Sequence, residues 1–145
     1  MTRADIVTEA RAWIGTRWQH QAMVKGVGCD CIGLIVGVAL AVGIAEARTV
    51  LETPEYRNYG RQPDGTTLLR GCSELLDPVR RYEAQPGDVL LMKFQTDPQH
   101  FAFLSAINPG CIIHAYAGAR RVVEHAIDAT WNSRVVGAFR IRGLA

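Results

Sequence analysis

The chain has 145 residues, of which 48% are hydrophobic, and a formal net charge of +2 from 16 basic and 14 acidic residues. This length and this apolar fraction predict a single globular domain over residues 1–145 that buries a core of its own. Because the two signs of charge are mixed along the sequence, we expect no basic surface of the kind that binds nucleic acid.

Two helices are predicted in the first third of the chain. Residues 4–14 carry apolar side chains at three- and four-residue spacing between charged ones, which predicts an amphipathic helix. Residues 15–28 have no steady period, and we expect a loop there. The apolar run from Cys31 to Ala45 is shorter than the roughly 20 residues that span a bilayer, so it predicts a buried helix and no membrane insertion. Asp30 is placed to cap that helix, which leaves Cys31 in its first turn.

The rest of the chain changes from helical to strand periodicity. Residues 46–65 are rich in proline, glycine and charge, which predicts a surface excursion, and a helical repeat of apolar residues predicts a third helix over 66–76. After the stretch QPGD, five short runs rich in β-branched and aromatic residues predict an antiparallel sheet. Helices first and strands afterwards indicate an α+β fold with a helix packed on one face of the sheet.

The four cysteines are expected to be reduced thiols, because the first residues of the chain do not have the pattern of a secretory signal. Cys29 and Cys31 are closer together than the pair of a zinc knuckle, and no second pair follows, so we expect neither a metal nor a cofactor. Cys72 and Cys111 fit the apolar positions of a helix and a strand. We interpret both as packing residues.

Cys31 is the candidate nucleophile. A thiol attacks as the thiolate, and the partial positive charge at a helix N-terminus favours that form. Cys29 precedes the predicted helix and lacks this stabilisation. A cysteine hydrolase also needs a histidine within reach of the thiol and a polar group that holds the imidazole in the required tautomer.

Two histidines are candidates for these roles. His100 opens one predicted strand, and His114 lies in the next one. If the hairpin is centred on Ile107, the two histidines are cross-strand partners on one face, with Cβ atoms roughly 5 Å apart. The more obvious turn signal is the stretch NPG, and a hairpin centred on Pro109 would place Leu104 opposite His114 instead.

These residues resemble the NlpC/P60 cysteine peptidases, which cleave peptide bonds in bacterial cell-wall stem peptides. DCIGL is similar to that family's Asp-Cys-Ser-Gly-Leu nucleophile motif, PGDVLLM to its strand-opening Pro-Gly-Asp, and HFAFL with IIHA to its two-histidine hairpin. The resemblance implies a papain-like fold with Cys31 as nucleophile, His100 as general base and acid, and His114 as the residue that orients His100. It also places Trp18 and His20 close to the substrate or the oxyanion.

The stretch GTRWQHQAMVKGVGCDCIGL further resembles the branch of that family encoded by tailed phages, prophages and gene transfer agents. This implies a peptidase made in the bacterial cytoplasm without a signal peptide and delivered to the cell wall in a tail, with tail-tip or hub proteins as partners. The implied scissile bond joins D-glutamate to a diamino acid. Its carboxylates can be met by one of four basic residues, Arg17, Lys25, Arg57 and Arg61.

Two other functions remain open from the sequence. Trp18 stands where the family usually has a tyrosine, which allows a structural or wall-binding tail component whose active site has decayed. A cysteine–histidine pair also serves acyltransferases and amidases that act on other substrates. Asp30, next to the nucleophile, is a further candidate for contact with the substrate or the oxyanion in any of the active forms.

Overall fold

The computed structural model describes residues 1–52, 75–94 and 97–144, and in these ranges helices precede most of the strands. The helices are α1 (Arg3–Ala12), α2 (Cys31–Ala41), α3 (Glu46–Glu52) and α4 (Ala129–Arg134). The strands are β1 (Met23–Val24), β2 (Gly28–Cys29), β3 (Leu76–Val79), β4 (Val89–Phe94), β5 (Asp97–Ala106), β6 (Cys111–Tyr116), β7 (Arg121–Ala126) and β8 (Val135–Ile141). The predicted α+β class is confirmed.

The main sheet has six strands in the order β3-β8-β4-β5-β6-β7, and every neighbouring pair is antiparallel. Strands β4 to β7 follow one another as a meander, and β8 returns to lie between β3 and β4. The short strands β1 and β2 form a separate hairpin just before α2. The sheet predicted from the five strand-like runs is therefore present, with β3 as an additional edge strand.

Helix α2 is apolar on all sides, and its residues from Ile32 to Ala39 are buried. A helix with this composition must be covered on all sides. It packs against α1 and α3 on one side and against strands β5 and β6 on the other. The helix that carries Cys31 therefore lies directly on the two strands that carry His100 and His114.

The two faces of the sheet build separate apolar clusters. The first face packs on the helices and includes Leu91, Phe101 and Ile113. The second face contains Met92 and Ile112 and is covered in part by side chains of α4 and its neighbours. Because successive side chains of a strand point to opposite faces, the odd-numbered and even-numbered residues of one strand belong to different clusters.

Three expectations from the sequence are wrong or incomplete. The segment expected to be a surface excursion begins with α3, whose Ala47 and Val50 are buried; residues 53–65 lie outside the described ranges. The helix expected over 66–76 is contradicted at its end, where Leu76 begins β3. Residues 66–74, including Cys72, are not among those described. Finally, the fifth strand-like run after QPGD covers residues 133–141 (SRVVGAFRI), and its first two residues belong to α4 and not to a strand.

Within the described ranges, no helix has the length and the apolar character needed to cross a membrane.

Candidate active site

The start of α2 is fixed by Asp30, as the sequence predicts. One carboxylate oxygen of Asp30 accepts a hydrogen bond from the Gly33 amide at 2.8 Å, and the other accepts one from the Gln21 amide at 2.7 Å. Asp30 is itself buried, and Cys31, the first residue of the helix, is half-buried. Both carboxylate oxygens of Asp30 thus hold the backbone on either side of Cys31 in place, and contact of Asp30 with the substrate or the oxyanion stays a prediction.

The segment around Trp18 is an edge extension of the sheet and not the loop expected from the sequence. The Gly15 amide donates to the Val122 carbonyl at 3.0 Å, and the Trp18 amide donates to the Arg120 carbonyl at 2.9 Å. On its other side, the segment receives a hydrogen bond from the Cys29 amide to the Arg17 carbonyl at 2.9 Å. These contacts fix the residues just before α2 beside the turn between β6 and β7.

His100 and His114 are in direct contact. His100 Nε2 lies 2.6 Å from His114 Nδ1, and both side chains are buried. The predicted hairpin register is wrong by two residues, however. Phe103 pairs with Ile113, and continuing this register places Ala102 opposite His114, so the two histidines are diagonal neighbours. A slip of two residues keeps a side chain on the same face, which is why the contact forms in spite of the different register.

The difference in register comes from the turn. The strand pairing shifts between Leu104 and Ala106, where one extra residue of β5 forms a bulge, and the turn then occupies residues 107–110. A bulge inserts one extra residue into one strand only, so it changes which residue of β5 lies opposite His114. No glycine or proline marks the position of this bulge in the sequence.

His125, to which the sequence analysis assigns no role, extends the histidine pair. His114 Nε2 lies 2.8 Å from His125 Nε2, and His125 Nδ1 lies 2.9 Å from the Ala126 carbonyl oxygen. Ile112 pairs directly with His125, which places the third imidazole on the same face of the sheet. The three histidines form a continuous hydrogen-bonded row across β5, β6 and β7.

Aromatic side chains surround this row. Trp131 of α4 contacts His114 and His125 with ring centroids 5.0 Å and 4.9 Å apart, and Tyr116 stacks on His114 at 5.3 Å. Arg134 lies over the Trp131 ring at 4.5 Å. These residues remove water from the imidazoles. Trp131 and Arg134 were not identified from the sequence, because α4 itself was not predicted.

Burial keeps His100 and His114 neutral. It lowers the pKa of His100 to about 3, with a smaller effect from the positive charge of Arg134. Burial also lowers the pKa of His114 to about 2, assisted by His100 and His125. Near neutral pH both imidazoles are therefore uncharged, and each has one ring nitrogen that carries a proton and one that has a lone pair. Burial has the opposite effect on the thiol of Cys29, whose pKa it raises to about 12, so this thiol stays protonated.

The first turn of α2 and His100 lie toward the same end of the sheet, whereas His125, which pairs with Ile112, lies toward the other end. Cys29 is beside Trp18, which bonds to Arg120 just past the end of β6, and His100 is close to Tyr116, the last residue of β6. His100 pairs with Met92 and thus shares the second face, whereas α2 packs on the first. A contact between Cys31 and His100 must accordingly form at the end of the sheet. This pairing stays a prediction.

An open cleft of about 550 Å³ lies next to Trp18, and its walls include Arg17, Arg120 and Arg121. Of the four basic residues expected to meet substrate carboxylates, Arg17 lines this cleft. Lys25 is paired with Glu9 at 2.9 Å, and Arg57 and Arg61 belong to the part of the chain that is not described. His20 is half-buried in the turn before β1.

Comparison with solved structures identifies the fold. The NlpC/p60 domain of the peptidoglycan hydrolase SagA superposes with a TM-score of 0.64 at 22% identity, covering 95% of this chain and 97% of that one. An N-acetylmuramoyl-L-alanine amidase from Bacteroides uniformis superposes with a TM-score of 0.69 at 9% identity, covering 97% and 98%. The chain therefore has the NlpC/P60 fold. The sequence matches no protein-family model and no curated protein.

A longer protein contains the same domain. A Staphylococcus aureus protein described as similar to lipoprotein, of the NLP/P60 family, superposes with a TM-score of 0.65 at 19% identity. The match covers 96% of this chain but only 41% of the other. At these identities the comparisons establish the fold, and the activity has to be argued from the site.

Proposed function

We propose that this chain is a cysteine hydrolase of peptidoglycan that cleaves within the stem peptide. The observation that carries the proposal is the buried, hydrogen-bonded pair His100 and His114, in a chain whose helix α2 begins with Cys31. A neutral imidazole held by a second polar side chain, close to a cysteine at a helix N-terminus, is what hydrolysis through a thioester requires. The shared NlpC/P60 fold supports the same assignment.

The mechanism uses the residues in the roles that the resemblance implies. His100 removes the proton from the Cys31 thiol, and the sulfur attacks the scissile carbonyl carbon. Negative charge develops on the carbonyl oxygen, where backbone N–H groups in the first turn of α2 can stabilise it, because they have no acceptor within the helix. His100 then gives its proton to the leaving amine. Water, deprotonated by His100, hydrolyses the thioester and restores the thiol.

The proposed substrate is an acidic stem peptide, with the bond between D-glutamate and a diamino acid as the scissile one. The arginines of the cleft beside Trp18 support this choice. Guanidinium groups bind carboxylates through paired hydrogen bonds, and three of them line one opening. In this proposal Trp18 forms the apolar wall of the substrate site, between the arginines and the residues that lead to Cys31.

A second bond has structural support. The amidase from Bacteroides uniformis has the same fold over nearly its whole length, and its name specifies the amide between muramic acid and L-alanine. The same cysteine and histidine chemistry would cleave either amide, since the choice of bond depends on the groove. Fragment masses distinguish the two products directly.

The proposal includes delivery in the tail of a phage-like particle or gene transfer agent, with tail-tip or hub proteins as neighbours. The stretch from Gly15 to Leu34 supports it through the resemblance described above. Mass spectrometry of particles purified from the producing bacterium, with and without detergent washing, tests this location. The chain should stay with intact tails and should be missing from particles that lack the tail tip.

The decisive test of the activity is incubation with peptidoglycan sacculi, followed by mass spectrometry of the released fragments. Wild-type protein and Cys29→Ala should release fragments cut within the stem peptide, and Cys31→Ala should release none. Cys29 is a suitable control because it is a neighbouring thiol that burial keeps protonated. If the folded wild-type protein releases no fragments, the proposal is overturned and a structural or wall-binding role is favoured.

A further inference from the structure

The histidine row ends on a group whose hydrogen-bonding role is fixed. His125 Nδ1 lies 2.9 Å from the carbonyl oxygen of Ala126. A carbonyl oxygen only accepts hydrogen bonds, so Nδ1 of His125 must carry a proton and donate it. When His125 is neutral, its Nε2 has a lone pair and is an acceptor.

The lone pair on His125 Nε2 determines which ring nitrogen of His114 carries the proton. His125 Nε2 is 2.8 Å from His114 Nε2, and two lone pairs at that distance would repel each other. His114 must therefore carry its proton on Nε2 and donate it to His125. Since neutral imidazole has a single N–H, Nδ1 of His114 is then an acceptor.

The acceptor role of His114 Nδ1 determines the proton position on His100, the proposed general base. His114 Nδ1 lies 2.6 Å from His100 Nε2, so His100 donates from Nε2 and keeps a lone pair on Nδ1. The direction of every hydrogen bond in the row follows from one backbone carbonyl. A neutral histidine at position 114 alone would not have this effect, because without His125 both of its tautomers are allowed.

We propose that His125 is a positioning residue that fixes the tautomers of His114 and His100 and makes His100 Nδ1 the atom that takes the proton from Cys31. The catalytic part of this inference rests on the proposed function, whereas the tautomers can be measured without any activity. His125 suits the role because it is only half-buried and belongs to β7, the edge strand of the sheet beyond the two inner histidines.

The direct test is long-range ¹H–¹⁵N NMR of the histidine rings in the 145-residue chain at about pH 8, above the usual histidine pKa. The expected spectrum shows the ring proton on Nδ1 for His125 and on Nε2 for His114 and His100. A His100 ring that carries its proton on Nδ1 would overturn the inference, whether or not the protein cleaves peptidoglycan.

Two variants separate positioning from mere packing. His125→Leu removes the acceptor, whereas His125→Gln keeps a polar atom near the place of Nε2. We expect His125→Leu to lose the single tautomer at His114 and to lower kcat about five- to tenfold with KM unchanged, the effect of one neutral hydrogen bond. His125→Gln should restore much of the single tautomer at His114 and much of kcat.

Unchanged tautomers and unchanged kcat in a folded His125→Leu protein would contradict the role. If His125→Leu does not fold, loss of the His114 Nε2 proton signal in His125→Gln would contradict it.

Discussion

The indole ring of Trp131 stands edge-on against the imidazole of His114, with the ring centroids 5.0 Å apart and an angle of 84° between the planes. This contact connects the six-residue helix between β7 and β8 to the centre of the candidate active site. Trp131 also touches His125 and carries Arg134 on its other side. The helix α4 is thus the cover that separates the histidine row from water.

Removing this cover should raise the pKa of His114. Burial is the main cause of its low pKa, so Trp131→Ala, which admits water, should shift the value toward the usual 6.5 or so. Trp131→Phe keeps an aromatic ring in place and should shift it much less. NMR titration of the histidine ring protons measures both variants. A His114 pKa as low in Trp131→Ala as in the wild type would contradict the assignment of α4 as the cover.

The buried histidines should also make the fold sensitive to mild acid. The pKa of His100 is about 3 in the folded chain and about 6.5 in the unfolded one. Between these values the unfolded state binds more protons, so the free energy of unfolding should be fully retained above about pH 6.5 and should fall as the pH decreases from there. Urea unfolding at about pH 7.5 and pH 5 measures the difference.

A variant without these imidazoles gives the control for the acid effect. The double variant His100→Leu with His114→Phe should lose less stability than the wild type between the same two pH values. Staying above about pH 5 limits the contribution of Glu124, whose pKa the Arg11 guanidinium lowers below its ordinary value and which therefore acts only in stronger acid. Equal losses in wild type and variant would show that other groups cause the effect.

The sequence was sufficient for the elements whose periodicity is strong. Helix α2 is predicted because an apolar run follows a capping Asp30, and strands β4 to β7 are predicted because short runs rich in β-branched and aromatic residues are separated by turn residues. Helix α4 was missed for a physical reason. It has six residues and none of them is buried, so no apolar stripe marks it, and its capping residue Asp128 occurs within an otherwise strand-like stretch.

The site was predictable in part. The contact between His100 and His114 follows from the alternation of side chains along β5 and β6, which puts both histidines on one face of the sheet. A two-residue error in register does not change that face. His125 was missed because Gly118, the glycine of the turn between β6 and β7, does not mark the left-handed position of that turn. This short 3₁₀ turn ends at Arg120 with a φ of +63°, a conformation in which glycine or asparagine is more usual. Without that turn, the alignment of β7 on β6 cannot be fixed from the sequence.

Asp88 of the stretch QPGD has a structural role that can be tested by removing its partner. The Asp88 side chain is fully buried, and its two oxygens accept hydrogen bonds from Arg140 Nε at 3.0 Å and from Arg140 Nη2 at 2.8 Å. Among the residues that the structure describes, Arg140→Met leaves the buried carboxylate with the Gln85 amide as its remaining donor. We expect a loss of about 3 kcal/mol in the free energy of unfolding, measured with urea.

An exposed pair provides the comparison for Asp88. Arg142 and Asp77 are 2.8 Å apart, with exposed side-chain fractions of 41% and 55%. Arg142→Met should change the free energy of unfolding by about 1 kcal/mol or less, because solvent screens such pairs. If Arg140→Met cost no more than Arg142→Met, burial of the Asp88 carboxylate would not be the source of the stabilisation.

The two neighbouring cysteines should differ in reactivity. Cys29 is fully buried with a pKa of about 12, so iodoacetamide should not modify it in the folded protein at neutral pH. Cys31, half-buried at the start of α2, should be the labelled site of the pair. Peptide mass spectrometry after a short reaction identifies the modified residue. Labelling of Cys29 ahead of Cys31 would contradict the assignment of the nucleophile.

The arginine cleft beside Trp18 should act on substrate binding and not on the chemical step. Arg120→Ala removes one of the three guanidinium groups around the opening, and a charge-assisted hydrogen bond of about 1.5–3 kcal/mol corresponds to a rise of roughly tenfold or more in KM. The value of kcat should change little, because the proposed substrate places its carboxylates, and not its scissile bond, at these groups. Arg80→Ala, at an exposed position that does not line the cleft, is the matched control and should leave both constants unchanged. A fall in kcat with constant KM in Arg120→Ala would instead place this arginine at the reacting atoms and require a different position for the substrate.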